Sequence, residues 1–350
     1  MPTSYGGLYE QIYAFENLLD AWRKARKGKR RQREVLRFEA DLEGNIIQLQ
    51  NELIWQQYQP GAYRYFTVPQ PKPRQIAALP FRDRVLQHAI NTIIEPIFEA
   101  RFISDSFACR PGRGTHACAD RAQHFLRAVR RQHGRAYALK ADIAKYFASI
   151  HRPTILRILE RNIACRRTLD LIRTVIYADG ATTEFGIPIG NLTSQLMANI
   201  YLHQLDIEIK HGLRARYYCR YMDDFIIIHH DKQYLHAARA HIEDWLQSNL
   251  LLRTNNKTQV APVANRNGMS LDFVGYRIYP THRLLRRDSI KRIKTRLRRL
   301  RRQFAAGEIE LPQVRAVVSS WIAHASHADT HGLREKILSE FRFSRSAAHA

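Results

Sequence analysis

Cysteine is scarce in this 350-residue chain. Its four cysteines, Cys109, Cys118, Cys165 and Cys219, show no CxxC spacing. That pattern excludes a zinc ribbon or a disulfide framework and fits a reducing, cytoplasmic compartment. Long apolar runs are also missing: no stretch approaches the roughly 18 residues of a membrane-spanning helix. The opening MPTSYGGLYEQIYAFENLLDAW has neither a basic n-region nor a continuous apolar h-region, so no signal peptide is expected. No internal repeat or low-complexity linker interrupts the chain. Acidic residues are few, 32 Asp and Glu against 56 Lys and Arg, which leaves a formal charge of +24. So large an excess repels itself in a compact state and favours a polyanionic partner, nucleic acid before any other. What is abundant is apolar: 45% hydrophobic residues exclude a disordered chain, and the length allows two or three domains.

Along the chain, residues 8–22 read as helical. The basic stretch RKARKGKRRQR (Arg23 to Arg33) follows, either a solvated loop or an arm for a nucleic-acid backbone. Leu42, Ile46, Leu49 and Leu53 recur at helical spacing within an expected helix over 34–57, which ends near Pro60-Gly61. The proline-rich segment from Tyr63 to Pro80 is expected to be extended. RDRVLQHAINTIIEPIF then reads as a helix cut by Pro96. AYALKADIAKYFASI begins as a strand and becomes a short helix near Ala144, and RYYCRYMDDFIIIHH reads as two strands joined at Met222–Asp224. This mixture predicts an α+β sheet domain. Near the end, Ile290, Ile293, Leu297, Leu300 and Phe304 share one helical face, with Lys291, Arg292, Lys294, Arg296, Arg298, Arg299, Arg301 and Arg302 opposite. Such a helix suits an anionic membrane or a nucleic-acid backbone. His324, His327 and His331 are spaced like helical metal ligands, but no Cys or carboxylate set accompanies them, and a metal is not expected there.

The chemistry concentrates in carboxylates. Asp142 follows an apolar stretch at an expected strand end, and Asp223-Asp224 sit at a hairpin tip before three isoleucines. Taken alone, adjacent aspartates fit a solvated turn. Three carboxylates brought together would repel, and divalent cations relieve that repulsion. Oxygen-only ligands suit Mg²⁺, and two such ions can clamp the attacking and leaving oxygens of a phosphoryl transfer.

The ordered set of motifs resembles the reverse transcriptases. RYMDDF resembles their catalytic Tyr-x-Asp-Asp, here Tyr221 to Asp224, and KADIAKYF resembles the first catalytic motif, Asp142 with Phe147 five positions on. PQPKPRQIAALPFRDRVLQHAI resembles the fingers motif, SFACRPGRGTHACA the one after it, LLLRTNNKTQV an Asn-x-x-Lys-Thr signature, and LDFVGYRIYP the primer grip. The resemblance covers about residues 60–285. One segment narrows it: where retroviral and group II intron enzymes carry Pro-Gln-Gly, this chain has Pro188-Ile189-Gly190-Asn191, similar to the reverse transcriptases of diversity-generating retroelements.

The resemblance implies a right-hand polymerase fold with an N-terminal helical extension (1–60), fingers with part of the palm (61–135), palm (136–285) and a small helical thumb (286–350). It implies two Mg²⁺ ions, with Mn²⁺ as a substitute, held by Asp142, Asp223, Asp224 and the backbone carbonyl of Ile143. Lys72 and Arg74 would contact the triphosphate, Phe147 would exclude a 2′-hydroxyl, and Lys257 would be the general acid for pyrophosphate. Ile189, Gly190 and Tyr221 would face the incoming nucleotide. The implied partners are template RNA, the RNA/DNA duplex, dNTPs and a basic, oligomeric accessory variability determinant protein, with no membrane. The source would be prokaryotic or a phage. A group II-like or defence-associated reverse transcriptase and a non-catalytic RNA-binding remnant are the alternatives. The Ile189 segment argues against the group II reading, and the intact Asp142, Asp223 and Asp224 argue against a remnant.

Overall fold

The computed structural model describes residues 5–68, 73–180, 182–266 and 269–345. Helices α1 (Leu8–Tyr13), α2 (Phe15–Ala25), α3 (Arg33–Glu39) and α4 (Leu42–Ile54) lead to strands β1 (Arg64–Val68) and β2 (Arg74–Ala78) and then to the long helix α5 (Phe81–Glu99). Helix α6 (Thr115–His133), strand β3 (Tyr137–Asp142) and helices α7 (Tyr146–Ser149), α8 (Arg152–Glu160), α9 (Arg166–Ile176) and α10 (Leu192–Ile207) follow. Then come β4 (Tyr218–Tyr221), β5 (Asp224–His229), α11 (Lys232–Leu250), β6 (Gln259–Pro262), β7 (Leu271–Phe273), β8 (Tyr276–Ile278) and β9 (Arg283–Leu285). Helices α12 (Arg287–Ala305), α13 (Leu311–Ala325) and α14 (His331–Glu340) close the chain.

The chain forms two compact units. One comprises Met1–Ser104, Asp142–Arg214 and Ala240–Asn256, the other Asp105–Ala141, Ala215–Arg239 and Lys257–Ala350. In the first, Ile12, Leu18, Val85, Ile90, Ile94, Met197 and Ile200 are buried, and the β1–β2 hairpin pairs antiparallel from Arg64↔Ala78 to Val68↔Arg74. In the second, a four-stranded sheet of order β4-β5-β3-β6 shares a core with α6, the β7-β8-β9 meander and one face each of α12, α13 and α14.

Most expected elements form, with three corrections. The helix expected over 8–22 breaks at Ala14, whose ψ of 133° is extended. The one expected over 34–57 breaks before Asp41, whose carboxylate caps α4 by accepting from the Gly44 N–H at 3.2 Å. Conversely, Pro96 does not cut its helix: α5 runs on to Glu99. Only one turn lies beyond the proline, and burial of Ile97 and Phe98 there outweighs the lost hydrogen bond. Ile293, Leu297 and Leu300 of α12 are buried as their spacing predicts. Among the described residues, no helix is long and apolar enough to cross a membrane.

Candidate active site

In the first unit, Asp142 opens a short segment whose conformation is tightly held. Ile143 bridges Thr254 in antiparallel fashion, through Asn255 N–H to the Asp142 carbonyl (2.8 Å) and Ala144 N–H to the Arg253 carbonyl (2.9 Å). The Asn255 side-chain amide also donates to Oδ2 of Asp142. Asn255 therefore grips Asp142 by both backbone and carboxylate, which fixes the direction of the carboxyl group. Lys145 takes a left-handed φ of 47° and starts α7, where the Tyr146 hydroxyl donates to the Ala198 carbonyl at 2.5 Å. That bond, together with Ile187 N–H donating to the Phe147 carbonyl at 2.9 Å, seats Phe147 half-buried beside the 186–190 segment.

That segment is pinned at its far end as well. Ala77 N–H of β2 donates to the Ile189 carbonyl at 2.9 Å. Gly190 has φ +123°, and a Cβ there would lie 2.6 Å from the Ala77 carbonyl oxygen and 2.9 Å from Ile76 Cγ2, so glycine is required. Asn191 is buried and its amide donates to the Tyr63 hydroxyl at 2.5 Å. Burial pushes the Tyr63 phenol up to about 12. Ile189 remains 37% exposed, so its branched apolar side chain is presented rather than consumed in the core. Arg74 ends the pairing with Val68, and its side chain, like the whole of Lys72, lies outside the described residues.

In the second unit, the hairpin of β4 and β5 pairs Tyr221 with Asp224 and leaves Met222-Asp223 as the turn. Met222 has φ +56°, unusual for a residue with a side chain and held only where surroundings demand it. Those surroundings include Arg220, which is fully buried and donates from Nη1 to the Met222 carbonyl at 2.9 Å. The Arg220 backbone is tied to the 105–107 segment, its N–H donating to the Asp105 carbonyl and its own carbonyl accepting from Phe107 N–H. Arg121 in turn donates to the Asp105 carboxylate at 2.7 Å. Phe225 and Ile226 to Ile228 are buried, which anchors the hairpin from below. Tyr221 is half-buried, and burial raises its phenol above the usual range. Lys257 is exposed in the turn before β6.

Asn255 belongs to the signature already quoted, but its grip on Asp142 was not legible there. Nor was the part played by Arg220, although a charge in an apolar strand beside the Asp pair is a usable signal. The C-terminal histidines go elsewhere: His327 stacks on His116 with ring centres 3.6 Å apart, the Tyr276 hydroxyl bonds His116 Nδ1 at 2.8 Å, and His331 faces Glu335.

Among the described residues, no three His, Cys, Asp or Glu side chains make a ready-formed metal cage. The donors present are nevertheless of the kind Mg²⁺ takes: carboxylates at strand ends and a backbone carbonyl, with substrate phosphates completing the shell. The Ile143–Thr254 bridge draws on the Asp142 carbonyl and the Ala144 N–H and makes no demand on the Ile143 carbonyl.

The mixed α+β chain has a polymerase fold, shown by its likeness to a solved structure. The solved structure of apo telomerase from Candida tropicalis superposes on 64% of this chain and 55% of its own with a TM-score of 0.51 at 14% identity, which bears on fold alone. Residues 68–278, more than half of the chain, match the reverse transcriptase (RNA-dependent DNA polymerase) family model, and the chain belongs to that family. It is similar to protein YkfC of Escherichia coli (strain K12), 28% identical over 290 residues that cover 69% of this chain and 71% of that protein. It is also similar to the group II intron-encoded protein LtrA of Lactococcus lactis subsp. cremoris, 30% identical over 142 residues that cover 39% of this chain and 22% of that protein. A third relative is nuclear intron maturase 2, mitochondrial, of Arabidopsis thaliana, 27% identical over 157 residues. The chain spans about a fifth of these last two proteins.

Proposed function

We propose that this chain copies an RNA template into DNA, with Asp142, Asp223 and Asp224 as its metal-binding carboxylates. The observation that carries the reading is the pair of separately braced aspartate segments inside the family-matched span: Asp142 gripped by Asn255, and the Met222-Asp223 turn held by Arg220. Asp142, Asp223 and the Ile143 carbonyl would hold two Mg²⁺ ions, or Mn²⁺ in their place. When bound, such ions stabilise the charge that develops as a primer 3′-hydroxyl displaces pyrophosphate from a dNTP. The remaining tasks fall to the chain. Lys72 and Arg74 bind the triphosphate, Phe147 excludes a 2′-hydroxyl, Gly190 lets the backbone approach the nascent pair, Tyr221 supports the nucleotide beside the turn, and Lys257 donates a proton to the leaving pyrophosphate. The exposed basic face of α12 binds the template–primer duplex.

The finer reading is a diversity-generating retroelement enzyme that copies a template-repeat RNA with errors opposite adenine, assisted by a basic accessory protein. Ile189, exposed where a glutamine donor is usual, supports it. A hydrogen bond contributes about 0.5–1.5 kcal/mol net, enough for about a tenfold change in discrimination. The similarity to LtrA and to an intron maturase favours the second reading, a group II-like enzyme of ordinary fidelity. Primer extension on a defined RNA with Mg²⁺, followed by sequencing of the cDNA, separates them. The first reading requires errors concentrated opposite adenine and reduced by Ile189→Gln. Equal error rates opposite all four bases overturn it in favour of the second.

A further inference from the structure

Arg152, the first residue of α8, is 1% exposed, so a full positive charge is buried. Its Nε donates to the Gly186 carbonyl at 2.6 Å and its Nη2 to Oδ2 of Asp179 at 2.6 Å. The guanidinium carbon lies 4.9 Å from the centre of the Tyr177 ring. Nη1 is buried with no hydrogen-bond acceptor among the described residues. Around it the chain is zipped shut: Arg152 N–H donates to Glu184 O at 2.7 Å, Gly186 N–H to Ile150 O at 2.8 Å, and Ile187 N–H to Phe147 O at 2.9 Å. His151 bridges Phe185, and their rings lie 4.9 Å apart.

An ion pair whose cation is buried, with one nitrogen left over, is an expensive way to join two segments. Packed apolar residues of similar volume serve stability as well or better. What a planar fork supplies instead is direction: two donors at fixed angles hold Gly186 and Asp179 in one relative placement. Gly186 heads the stretch that runs through Ile187, bonded to Phe147, and on to Ile189 and Gly190. Any slack at Gly186 therefore moves Phe147 and Ile189 relative to each other.

We propose that Arg152 is a positioning residue for sugar selection, its clamp on Gly186 setting how the Phe147 side chain stands relative to Ile189 and Gly190, against which the sugar of the incoming nucleoside triphosphate is read. The proposal rests on the reading above that Phe147 excludes the 2′-hydroxyl. A steric gate discriminates only as sharply as its frame is rigid, because a small relaxation admits the extra oxygen.

The test is competitive incorporation of rNTP against dNTP on an RNA template, with thermal unfolding and template–primer affinity measured on the same preparations. Arg152→Lys keeps the charge and loses the fork, and it should raise the rNTP:dNTP ratio about three- to tenfold, the scale of one weakened hydrogen bond. The double variant Arg152→Met with Asp179→Leu removes the buried guanidinium and its partly exposed carboxylate partner together. It should unfold at or above the wild-type temperature, bind template–primer as before, and show the same raised ratio. Should that pair not fold, Asp179→Asn reads the same direction on a smaller scale. Phe147→Ala is the reference and should raise the ratio further. If Phe147→Ala raises it while the folded Arg152 and Asp179 variants leave it at the wild-type value, Arg152 only holds the fold together and the proposal is overturned. If Phe147→Ala itself leaves the ratio flat, the gate reading fails and the proposal falls with it.

Discussion

The two units brace an aspartate-bearing segment by different means. In the first, a neutral amide does it: Asn255 grips Asp142 by backbone and side chain. In the second, a buried cation does it: Arg220 reaches under the turn and holds the Met222 carbonyl while Met222 sits at a positive φ. An amide donor orients without adding charge, whereas a buried guanidinium also lowers the potential energy of nearby anions and costs desolvation. The two aspartate segments should therefore fail differently when their supports are removed.

Removing the carboxylates themselves should have the largest effect. Asp142→Asn or Asp223→Asn should reduce primer extension by about 10³-fold or more while RNA binding persists, because neutral amides bind Mg²⁺ poorly and phosphate contacts come from Lys and Arg. Near wild-type extension by either variant would end the metal assignment. One step down, Asn255→Ala should cost about 10- to 100-fold in activity, as loss of a partner that orients a metal ligand does. Much of that loss should return at high Mg²⁺, since Asp142 keeps its charge. Arg220→Met should cost similar activity but also about 1.5–3 kcal/mol of stability, and added Mg²⁺ should not restore it. Equal Mg²⁺ rescue of the two variants would erase the distinction between the units.

Smaller effects sharpen the comparison on the surface. Arg298, Arg299 and Arg302 of α12 are exposed and make no ion pair among the described residues, whereas Arg23, Arg26, Arg82 and Arg84 of the first unit face Asp20, Glu39, Glu52 and Glu34. Reversing the three α12 charges should weaken template–primer binding and flatten its salt dependence by about 0.7–0.9 in log–log slope per lost phosphate contact. An unchanged slope would point to another partner for that face. The smallest effect concerns His88, whose pKa is lowered to about 4 by burial and then by Lys24, Lys29 and Arg84. A histidine held neutral in the fold contributes stability that is complete above its unfolded value of about 6.5 and is lost as pH falls toward 4. The urea midpoint of His88→Gln should therefore fall less than that of the wild type between pH 6.5 and 4, with no such divergence above pH 7.

Much of this protein is local and was legible as such. Motif order along the chain, the buried isoleucines after Asp224, the strand ending at Asp142 and the apolar stripe of α12 all follow from residue type and spacing, because periodicity and side-chain chemistry act over a few residues. The same local reasoning misjudged Pro96, where burial of two neighbours overrode a helix breaker, and missed the breaks at Ala14 and Asp41, where the chain turns between packed helices. The long-range hydrogen bonds that brace these segments were out of its reach. Asn255 lies 113 residues from Asp142, Asn191 lies 128 from Tyr63, and Arg152 meets Gly186 from 34 positions away. The sequence by itself determined which residue types stand in the family-matched span and in what order, since a carboxylate or a glycine has its properties wherever it sits. Only the tertiary structure decided which amide, guanidinium or carbonyl aims each of them, because a hydrogen bond is chosen by distance and angle in space and many equally polar candidates lie along the chain.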